Sequence, residues 1–192
     1  MIVADGQSFL QSDFWLGIIP QPNEKINYLE IGVHSGFNLL SVEKLYANHP
    51  DSKLFAIDPW CDYEDYPEYK GQMDTTYANF CRNIKTFNVE HKVNVIKGYS
   101  NVEVPKLEDS FFDIIFIDGN HRPEYALEDA VLSFRKLKVG GYLIFDDWNF
   151  GGPDGTTRGI QGFMSAYHKR IKVLETKWTT WGLAQVFIQK LR

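Results

Sequence analysis

The segment that most constrains this chain runs from Tyr28 to Gly36 and reads Tyr-Leu-Glu-Ile-Gly-Val-His-Ser-Gly. Its apolar start predicts a strand over Ile26–Ile31, and its two glycines predict a tight turn into a helix over Phe37–Asn48. Lys53–Asp58 predicts a second strand. A strand, a helix and a strand within roughly thirty residues are typical of a βαβ unit, in which the two strands run parallel.

The same alternation continues to the end of the chain. Phe111–Asp118 is an almost continuous apolar run, which is typical of a central strand buried on both faces. The closing strands, Ile171–Lys177 and Gly182–Gln189, lie close in sequence and predict an antiparallel pair at the sheet edge. We therefore expect an α/β fold, a Rossmann-like three-layer αβα sandwich with a seven-stranded, mostly parallel sheet and one antiparallel strand near the C-terminus. The other strands are expected at 93–96 and 142–145, and the other helices at 72–87, 126–137 and 160–169.

The length of 192 residues predicts one domain, 1–192. Within it we expect an N-terminal helical segment (1–22), a core (26–150) and a C-terminal helix with a strand pair (151–192). Apolar residues spaced along Asp5–Pro20 indicate a short helix in the first of these parts. The acidic and aromatic segment Trp60–Tyr69 and the glycine-containing segment Gly151–Gly159 are expected to be loops beside the functional site.

Composition excludes several classes of protein. The net charge of −5 argues against binding to nucleic acid or to an anionic membrane, because both require a basic face. No apolar run has the length of a membrane span, and Met1–Asp5 lacks the features of a signal peptide. The two cysteines, Cys61 and Cys81, indicate reduced thiols. We expect a cytoplasmic protein whose partner is a small-molecule acceptor, without nucleic acid or membrane, and we leave homo-oligomerisation open.

Acidic residues close four of the predicted strands: Glu30, Asp58, Asp118 and the pair Asp146-Asp147. Because the carboxyl ends of parallel strands meet at one edge of the sheet, these acids are expected to converge where open α/β sheets bind ligands. A carboxylate at the end of the second strand accepts hydrogen bonds from ribose hydroxyls in such folds. Any one of these acids could instead cap the following helix.

The glycine pattern narrows the choice of ligand. Starting at Gly32, the sequence Gly-Val-His-Ser-Gly-Phe lacks two of the three glycines of a dinucleotide-binding turn, and a phosphate-binding Gly-Lys-Ser/Thr is absent. Glu30 beside the turn would repel a pyrophosphate and attract a cation. A ligand with an amino group, ribose hydroxyls and no phosphate fits these residues, and S-adenosylmethionine (SAM) is such a ligand.

Glu30–Gly36 resembles the first motif of class I SAM-dependent methyltransferases, Glu/Asp-x-Gly-x-x-x-Gly, in the form found in catechol-type O-methyltransferases. Ile57–Trp60 resembles their ribose-binding segment, and Gly98–Asn101 resembles the loop beside adenine. Phe116–His121 and Leu143–Asp147 resemble the two segments that hold magnesium in metal-dependent members. The sequence is also similar to a bacterial and viral O-methyltransferase group, and the resemblance covers residues 26–150.

The resemblance implies a role for each matching residue. Glu30 and the backbone of the following turn would hold the methionine amine and carboxylate, Asp58 the ribose diol, and Trp60 the face of the adenine. A position in the core is the alternative for Trp60. The SAM-binding residues implied in this way are Glu30, Gly32, His34, Ser35, Gly36, Asp58, Trp60, Ser100, Asn101 and Asp118.

At the reacting end, the resemblance implies that Asp118, Asp146 and Asp147 bind Mg²⁺ or another divalent cation, for which carboxylate oxygens are suitable ligands. His121 lies where catechol-type enzymes carry a catalytic lysine, and it could act as general base with Asp118 and Asp147 beside it. Two departures from the family pattern keep a metal-free reaction open. Asp147 replaces an asparagine ligand, and Gly119-Asn120 lacks the usual aromatic residue.

The expected function is the transfer of a methyl group from SAM to a hydroxyl of a small molecule, such as a sugar or another polyhydroxylated metabolite. The alternatives are an N-methyltransferase, a non-heme metal hydroxylase on the same scaffold, and an inert SAM-binding module. A hydroxylase would require two histidines and a carboxylate around one metal, and among the histidines His121 alone has a suitable position in the sequence.

Overall fold

The computed structural model describes residues 3–4, 7–8, 11–63, 67–180 and 182–192. Along the chain, the elements are β1 (Val3–Ala4), β2 (Gln7–Ser8), β3 (Asn27–Ile31), α1 (Phe37–Leu45), β4 (Lys53–Asp58), α2 (Met73–Thr86), β5 (Val93–Lys97), α3 (Ser100–Glu103), β6 (Phe112–Ile117), α4 (Pro123–Lys136), β7 (Leu137–Trp148), α5 (Thr156–Tyr167), β8 (Ile171–Trp178) and β9 (Ala184–Lys190). Short 3₁₀ helices lie at Gln11–Trp15, Pro67–Tyr69, Val104–Lys106 and Gly152–Asp154.

Seven of these strands form one sheet in the order β5-β4-β3-β6-β7-β9-β8. The pairs β3–β4, β3–β6, β4–β5 and β6–β7 are parallel. β9 runs antiparallel to both of its neighbours, β7 and β8. The structure thus confirms the predicted Rossmann-like fold with a mostly parallel seven-stranded sheet and an antiparallel strand near the C-terminus.

The strand order reverses at β3, because β4 and β5 extend the sheet on one side and β6 and β7 on the other. Such a reversal leaves a crevice outside the carboxyl ends of the central strands, since the connecting helices leave in opposite directions. The four strands that the sequence predicted to end in acids are the ones that border this crevice.

The two faces of the sheet carry separate apolar clusters because successive side chains alternate along each strand. Tyr28 on β3 packs in the cluster that includes residues of α1 and α2. Its neighbour Leu29 belongs to the opposite cluster, together with Phe134 of α4 and Phe163 of α5. This alternation produces the three layers of the sandwich and places Glu30 on the same face as Tyr28.

The N-terminal segment differs from its prediction. In the part that the structure describes, β1 pairs antiparallel with β2, and a five-residue 3₁₀ helix takes the place of the helix expected over Asp5–Pro20. The helix cannot continue through Gly17, whose φ is +83°. Trp15 at its end is fully buried, with its ring 5.5 Å from those of Tyr46 and Phe116. Residues 5–6 and 9–10 of this predicted helix, and residues 64–66 of the predicted loop, lie outside the described residues.

The helices are short. The longest, α2 and α4, have 14 residues each, whereas a bilayer requires a helix of about 20 apolar residues. Among the helices in the described ranges, none has the length and apolar character needed to cross a membrane.

Candidate functional site

The carboxyl edge of the sheet opens into a cavity of about 820 Å³. Its walls come from the turn after β3, the ends of β4 and β7, the loop between β5 and α3, the segment after β6, and α4. The acids predicted at the strand ends all line it: Glu30, Asp58, Asp118, Asp146 and Asp147. This volume is in the range of cavities that bind cofactors and small ligands.

Two glycines allow the turn after β3 to approach its neighbours. Gly32 has a φ of +82°, and a Cβ at this position would lie 1.8 Å from the carbonyl oxygen of Asp118. Gly36 also has a φ of +82°, and a Cβ there would lie 2.8 Å from the Phe80 ring. A larger residue at either position would have to move the backbone or a buried ring, so the glycines fix the position of the whole turn.

Glu30 is 1% exposed and lines the cavity. Its Oε2 accepts hydrogen bonds from the Tyr28 hydroxyl at 2.5 Å and from Asn38 Nδ2 at 3.0 Å. Burial raises the pKa of Glu30 to about 8; Asp146 and Asp58 act in the same direction, and the two hydrogen bonds oppose it. A cation beside Glu30 would favour the ionised carboxylate, so this residue suits a ligand with a positive end.

Asp58 supports the turn from the end of β4. Its Oδ2 accepts a hydrogen bond from the His34 backbone N–H at 2.9 Å, and its Oδ1 accepts one from the Trp60 backbone N–H at 2.7 Å. Burial raises the pKa of Asp58, and these backbone hydrogen bonds lower it. A carboxylate has about four lone-pair sites, so ribose hydroxyls can bind to Asp58 in addition to the backbone.

Trp60 lies in the core and not against the cavity. It is 1% exposed, and its ring centroid lies 4.9 Å from that of Tyr77 and 5.0 Å from that of Phe80. Its indole N–H donates to the His34 carbonyl at 2.8 Å. Trp60 therefore holds the backbone of the turn. The alternative of a core aromatic agrees with this placement, and the implied contact with adenine does not.

The far end of the cavity is lined by Ser100 and Asn101, as predicted, and by Asp129 of α4. Asp129 is 3% exposed, and its carboxyl accepts a hydrogen bond from the Ser100 side chain. Burial raises the pKa of Asp129 to about 7, with a further contribution from Glu128. Asp129 belongs to no recognisable motif, and only its buried position on an otherwise amphipathic helix could have identified it in the sequence.

Three chemically active side chains meet at the ends of β6 and β7. His121 Nε2 lies 2.8 Å from Asp147 Oδ2. One ligand atom from each of Asp118, His121 and Asp147 lies within 4.8 Å of the other two. Among the described residues, His121 thus replaces Asp146 in the group that could hold a divalent cation. The His121 ring also packs against Phe150, with 4.3 Å between the ring centroids.

The carboxyl groups at this end repel one another. Burial raises the pKa of Asp118 well above its usual range, and Asp146, Asp147 and Glu30 raise it further. Burial also raises the pKa of Asp146 to about 6, and Asp147 adds to this effect. A sulfonium or a divalent cation would reduce this repulsion, so the cluster favours a positively charged ligand.

Asp146 is oriented by a network that the sequence did not reveal. Its Oδ1 accepts hydrogen bonds from the Asp147 backbone N–H at 3.0 Å and from Gln185 Nε2 at 3.3 Å. Gln185 Oε1 accepts a hydrogen bond from the indole N–H of Trp15 at 2.9 Å. Because an indole nitrogen can only donate, Gln185 must present its NH₂ group to Asp146. Trp15, Gln185 and Asp146 lie far apart in the sequence, so no motif connects them.

The cavity brings together most of the residues predicted for the site. Gly36 and Trp60 lie outside its lining, and Asn38 is a lining residue that the sequence analysis missed, although it lies in the first turn of α1 beside the glycine motif. The predicted residues that line the cavity are Glu30, Gly32, His34, Ser35, Asp58, Ser100, Asn101, Asp118, His121, Asp146 and Asp147. These residues form a long binding site, with Ser100 at one end and the reactive groups of His121 and Asp147 at the other.

Comparisons with known proteins agree with this arrangement. A family model described as a methyltransferase domain matches residues 29–148. The uncharacterized protein R132 of Acanthamoeba polyphaga mimivirus is 32% identical over 130 residues, which cover 65% of this chain and 52% of that protein. The chain therefore spans about half the length of this relative.

Solved structures with low sequence identity share the fold. The O-methyltransferase TomG of Streptomyces achromogenes, in complex with SAM, has a TM-score of 0.67 and 17% identity over 86% of this chain and 73% of TomG. The methyltransferase PaMTH1 of Podospora anserina, bound to SAH, has a TM-score of 0.60 and 20% identity over 86% of this chain and 72% of PaMTH1. A proposed rRNA methylase of Clostridium thermocellum has a TM-score of 0.71 and 16% identity over 95% of this chain and 94% of that chain.

The family match extends over more than half of the chain, from β3 to the end of β7, and it contains every acid that converges on the cavity. The chain therefore belongs to the methyltransferase family and has the fold of the class I SAM-dependent methyltransferases.

Proposed function

We propose that this protein transfers the methyl group of SAM to a hydroxyl group of a small molecule, with His121 as general base. The observation that carries the proposal is the 2.8 Å contact between His121 Nε2 and Asp147 Oδ2 at the end of the SAM cavity. A base held by a carboxylate beside a cofactor site is what the deprotonation of a hydroxyl nucleophile requires.

The cavity orients SAM through complementary charge. The ammonium group of the methionine part pairs with Glu30, and the methionine carboxylate lies at the N-terminus of α1. The ribose hydroxyls bind Asp58. With these ends placed, the sulfonium faces the carboxyl cluster of Asp118, Asp146 and Asp147, which attracts its positive charge.

The chemical step is an in-line displacement. A lone pair of the acceptor oxygen forms a bond to the methyl carbon while the carbon–sulfur bond breaks, and its electron pair stays on sulfur, giving S-adenosylhomocysteine (SAH). The hydroxyl proton passes to the imidazole of His121. Asp147 stabilises the imidazolium that forms, in the way that a buried carboxylate assists a catalytic histidine elsewhere.

A metal-assisted reaction, with a divalent cation at the same position, is the second candidate. One ligand atom from each of Asp118, His121 and Asp147 lies within 4.8 Å of the other two, which favours it. Two carboxylate oxygens and an imidazole nitrogen are ligands that such ions accept. A bound ion would supply Lewis-acid polarisation of the acceptor oxygen. In either case Asp118 and Asp147 supply the negative charge, and the turn after β3 positions the cofactor.

The acceptor is a small molecule in this proposal, since the net charge of −5 disfavours nucleic acid. Tyr69 lines the cavity and is 39% exposed, and Phe150, which packs against the His121 ring, is 41% exposed. Such rings suit the flat or hydroxylated face of an organic acceptor.

The test measures transfer of isotopically labelled methyl groups from SAM to a panel of phenols, catechols, sugars and amines, with an rRNA fragment included. Product NMR then identifies the methylated atom. We expect O-methylation, a loss of about 10²–10⁴-fold in His121→Gln and no loss in His91→Gln, which changes an exposed histidine.

Three results would change the proposal. Methylation of nitrogen or of RNA would replace the acceptor class. Full activity of His121→Gln would show that His121 is not the general base. If EDTA abolishes the activity and Mg²⁺ restores it, the reaction is metal-assisted. Failure of calorimetric titration to detect SAM binding would reject the function altogether.

A further inference from the structure

We propose that Asp129 recognises the adenine base of SAM, with a carboxyl oxygen that accepts a hydrogen bond from the exocyclic amino group. The inference rests on the proposed binding of SAM in this cavity and assigns a specificity-determining role to a residue outside every motif.

The position of the base follows from the positions of the other parts of the cofactor. Glu30 takes the amino group, Asp58 takes the ribose, and the sulfonium faces Asp118 and its neighbours. The remaining part of the cavity lies beyond Asp58. It is walled by the loop between β5 and α3 and by α4.

The walls of this part suit a flat base. Pro59, Tyr99, Val102 and Tyr125 line it, and they provide apolar and aromatic surfaces. Gly119 also lines the cavity here. These groups can contact the faces of a purine, but they cannot distinguish one purine from another, because every base presents an apolar face.

Among the polar residues that line this end, Asp129 is buried, Ser100 is half-buried, and Asn101 and Glu128 are exposed. The carboxyl of Asp129 lines the cavity from α4 although the residue is 3% exposed, and its Oδ2 lies 3.0 Å from the position that a Cβ at Gly119 would occupy. Glycine at 119 therefore leaves Asp129 uncovered, where a side chain would crowd it. A buried carboxyl is unfavourable unless hydrogen-bond donors reach it, so this position calls for a ligand that donates.

The hydrogen bond from Ser100 determines whether the ligand must donate or accept at this end of the cavity. Because the Ser100 hydroxyl donates to Asp129, its hydrogen is already used, and both residues present acceptor oxygens to the ligand. The amino group of adenine supplies two N–H donors. A 6-oxo purine would place an acceptor opposite the ionised carboxylate and the Ser100 oxygen, and this form of the site would disfavour it.

The protonation state of Asp129 changes the contacts that its carboxyl can make with the base. Burial raises the pKa of Asp129 to about 7, so near neutral pH the protonated form is well populated. That form accepts from the amino group with one oxygen and donates to adenine N1 with the other, as an asparagine would. Both forms accept the amino hydrogen, so recognition of this group does not depend on the protonation state.

The experiment compares two ligands, SAH and an SAH analogue with hydrogen in place of the 6-amino group, by calorimetric titration of the full chain. We expect the wild type to bind SAH about 10-fold or more tightly than the analogue. Asp129→Asn keeps the acceptor and should keep this preference. Asp129→Leu should bind the two ligands alike, having lost affinity for SAH but not for the analogue.

Glu124→Gln is the matched control, because Glu124 is an exposed acid on the same helix. It should bind both ligands as the wild type does. A merely structural role for Asp129 would weaken SAH and the analogue equally in Asp129→Leu, and that result would overturn the inference. If Asp129→Leu does not fold, Asp129→Ala takes its place in the same comparison.

A failure of the role proposed for Asp129 can be distinguished from a failure of the proposed function. If the wild type binds neither SAM nor SAH, the proposed function fails together with this inference. If the wild type binds SAH and Asp58→Asn weakens it, the cofactor site stands. Equal affinity of the wild type for SAH and the analogue would then overturn the role of Asp129 alone.

Discussion

Replacement of Glu30 by glutamine should stabilise the protein in the absence of SAM while weakening the cofactor site. Glu30 is 1% exposed, and its pKa is raised to about 8, mainly by burial. Glutamine has the same shape and carries no charge. Its Oε1 can still accept the hydrogen bonds that Tyr28 and Asn38 donate to Glu30 Oε2 at 2.5 and 3.0 Å.

The sign of the effect follows from proton linkage. The ordinary pKa of 4.5 applies to the unfolded chain, and the folded value is about 8, so the folded protein binds more protons between these two pH values. Stability contributed by Glu30 is therefore greatest below pH 4.5 and falls as the pH rises toward 8. At pH 7 the loss is about 3 kcal/mol, from 2.5 pH units at about 1.36 kcal/mol each, and at pH 5 it is below about 1 kcal/mol.

The assay is urea denaturation of unliganded wild type and Glu30→Gln at pH 5, 7 and 9. We expect Glu30→Gln to be more stable by about 3 kcal/mol at pH 7, or by about 6–12 °C in melting temperature, and by less than about 1 kcal/mol at pH 5. SAM should bind the variant about 10-fold or more weakly, because the ammonium group loses its carboxylate partner.

Glu24→Gln provides the control, since Glu24 is exposed and should show a small difference at every pH. A Glu30→Gln protein that is less stable than the wild type at pH 7, or equally stabilised at pH 5 and pH 9, would refute the reasoning. Unchanged SAM affinity would show that Glu30 does not bind the ammonium group.

Three further substitutions test the framework of the site by thermal and urea denaturation. Gly32→Ala should prevent stable folding or cost several kcal/mol, because its Cβ would lie 1.8 Å from the Asp118 carbonyl oxygen at a φ of +82°. Lys190→Met should destabilise by about 1–3 kcal/mol, because the buried Nζ donates to the carbonyl groups of Phe134 and Leu137, at 2.7 and 2.6 Å. Trp15→Phe should destabilise by about 1–3 kcal/mol and should weaken SAM binding, because Gln185 loses the donor that orients it.

Each of these substitutions has a control at an open position. Gly17→Ala has a similar φ of +83° but no atom within 4 Å of the new Cβ, so it should be milder than Gly32→Ala. Lys169→Met and Trp178→Phe change exposed residues and should have small effects. Equal effects at the paired positions would show that close packing or hydrogen bonding is not the cause. If Trp15→Phe leaves the affinity for SAM unchanged, the orientation of Gln185 does not contribute to cofactor binding.

Local patterns carry much of the information about this fold. The apolar runs, the glycine-cornered turn and the helical spacing predicted the βαβ units and the antiparallel strand, because each depends on residues close in sequence. The prediction of an N-terminal helix was wrong because the structure of this segment depends on residues far apart in the sequence. Its apolar spacing suited a helix, but the buried position of Trp15 against Tyr46 and Phe116 depends on contacts with distant elements.

The same division applies to the functional site. Strand-end acids could be predicted to converge, since parallel strands bring their carboxyl ends to one edge. The sequence could not show that His121 contacts Asp147, that Trp60 faces the core, or that Asp129 lines the cavity, because side-chain direction and burial depend on packing between elements. By itself, therefore, the sequence determined the layered fold and the acidic edge that suits a positively charged cofactor. Only the tertiary structure decided which groups meet there and how burial shifts their pKa values.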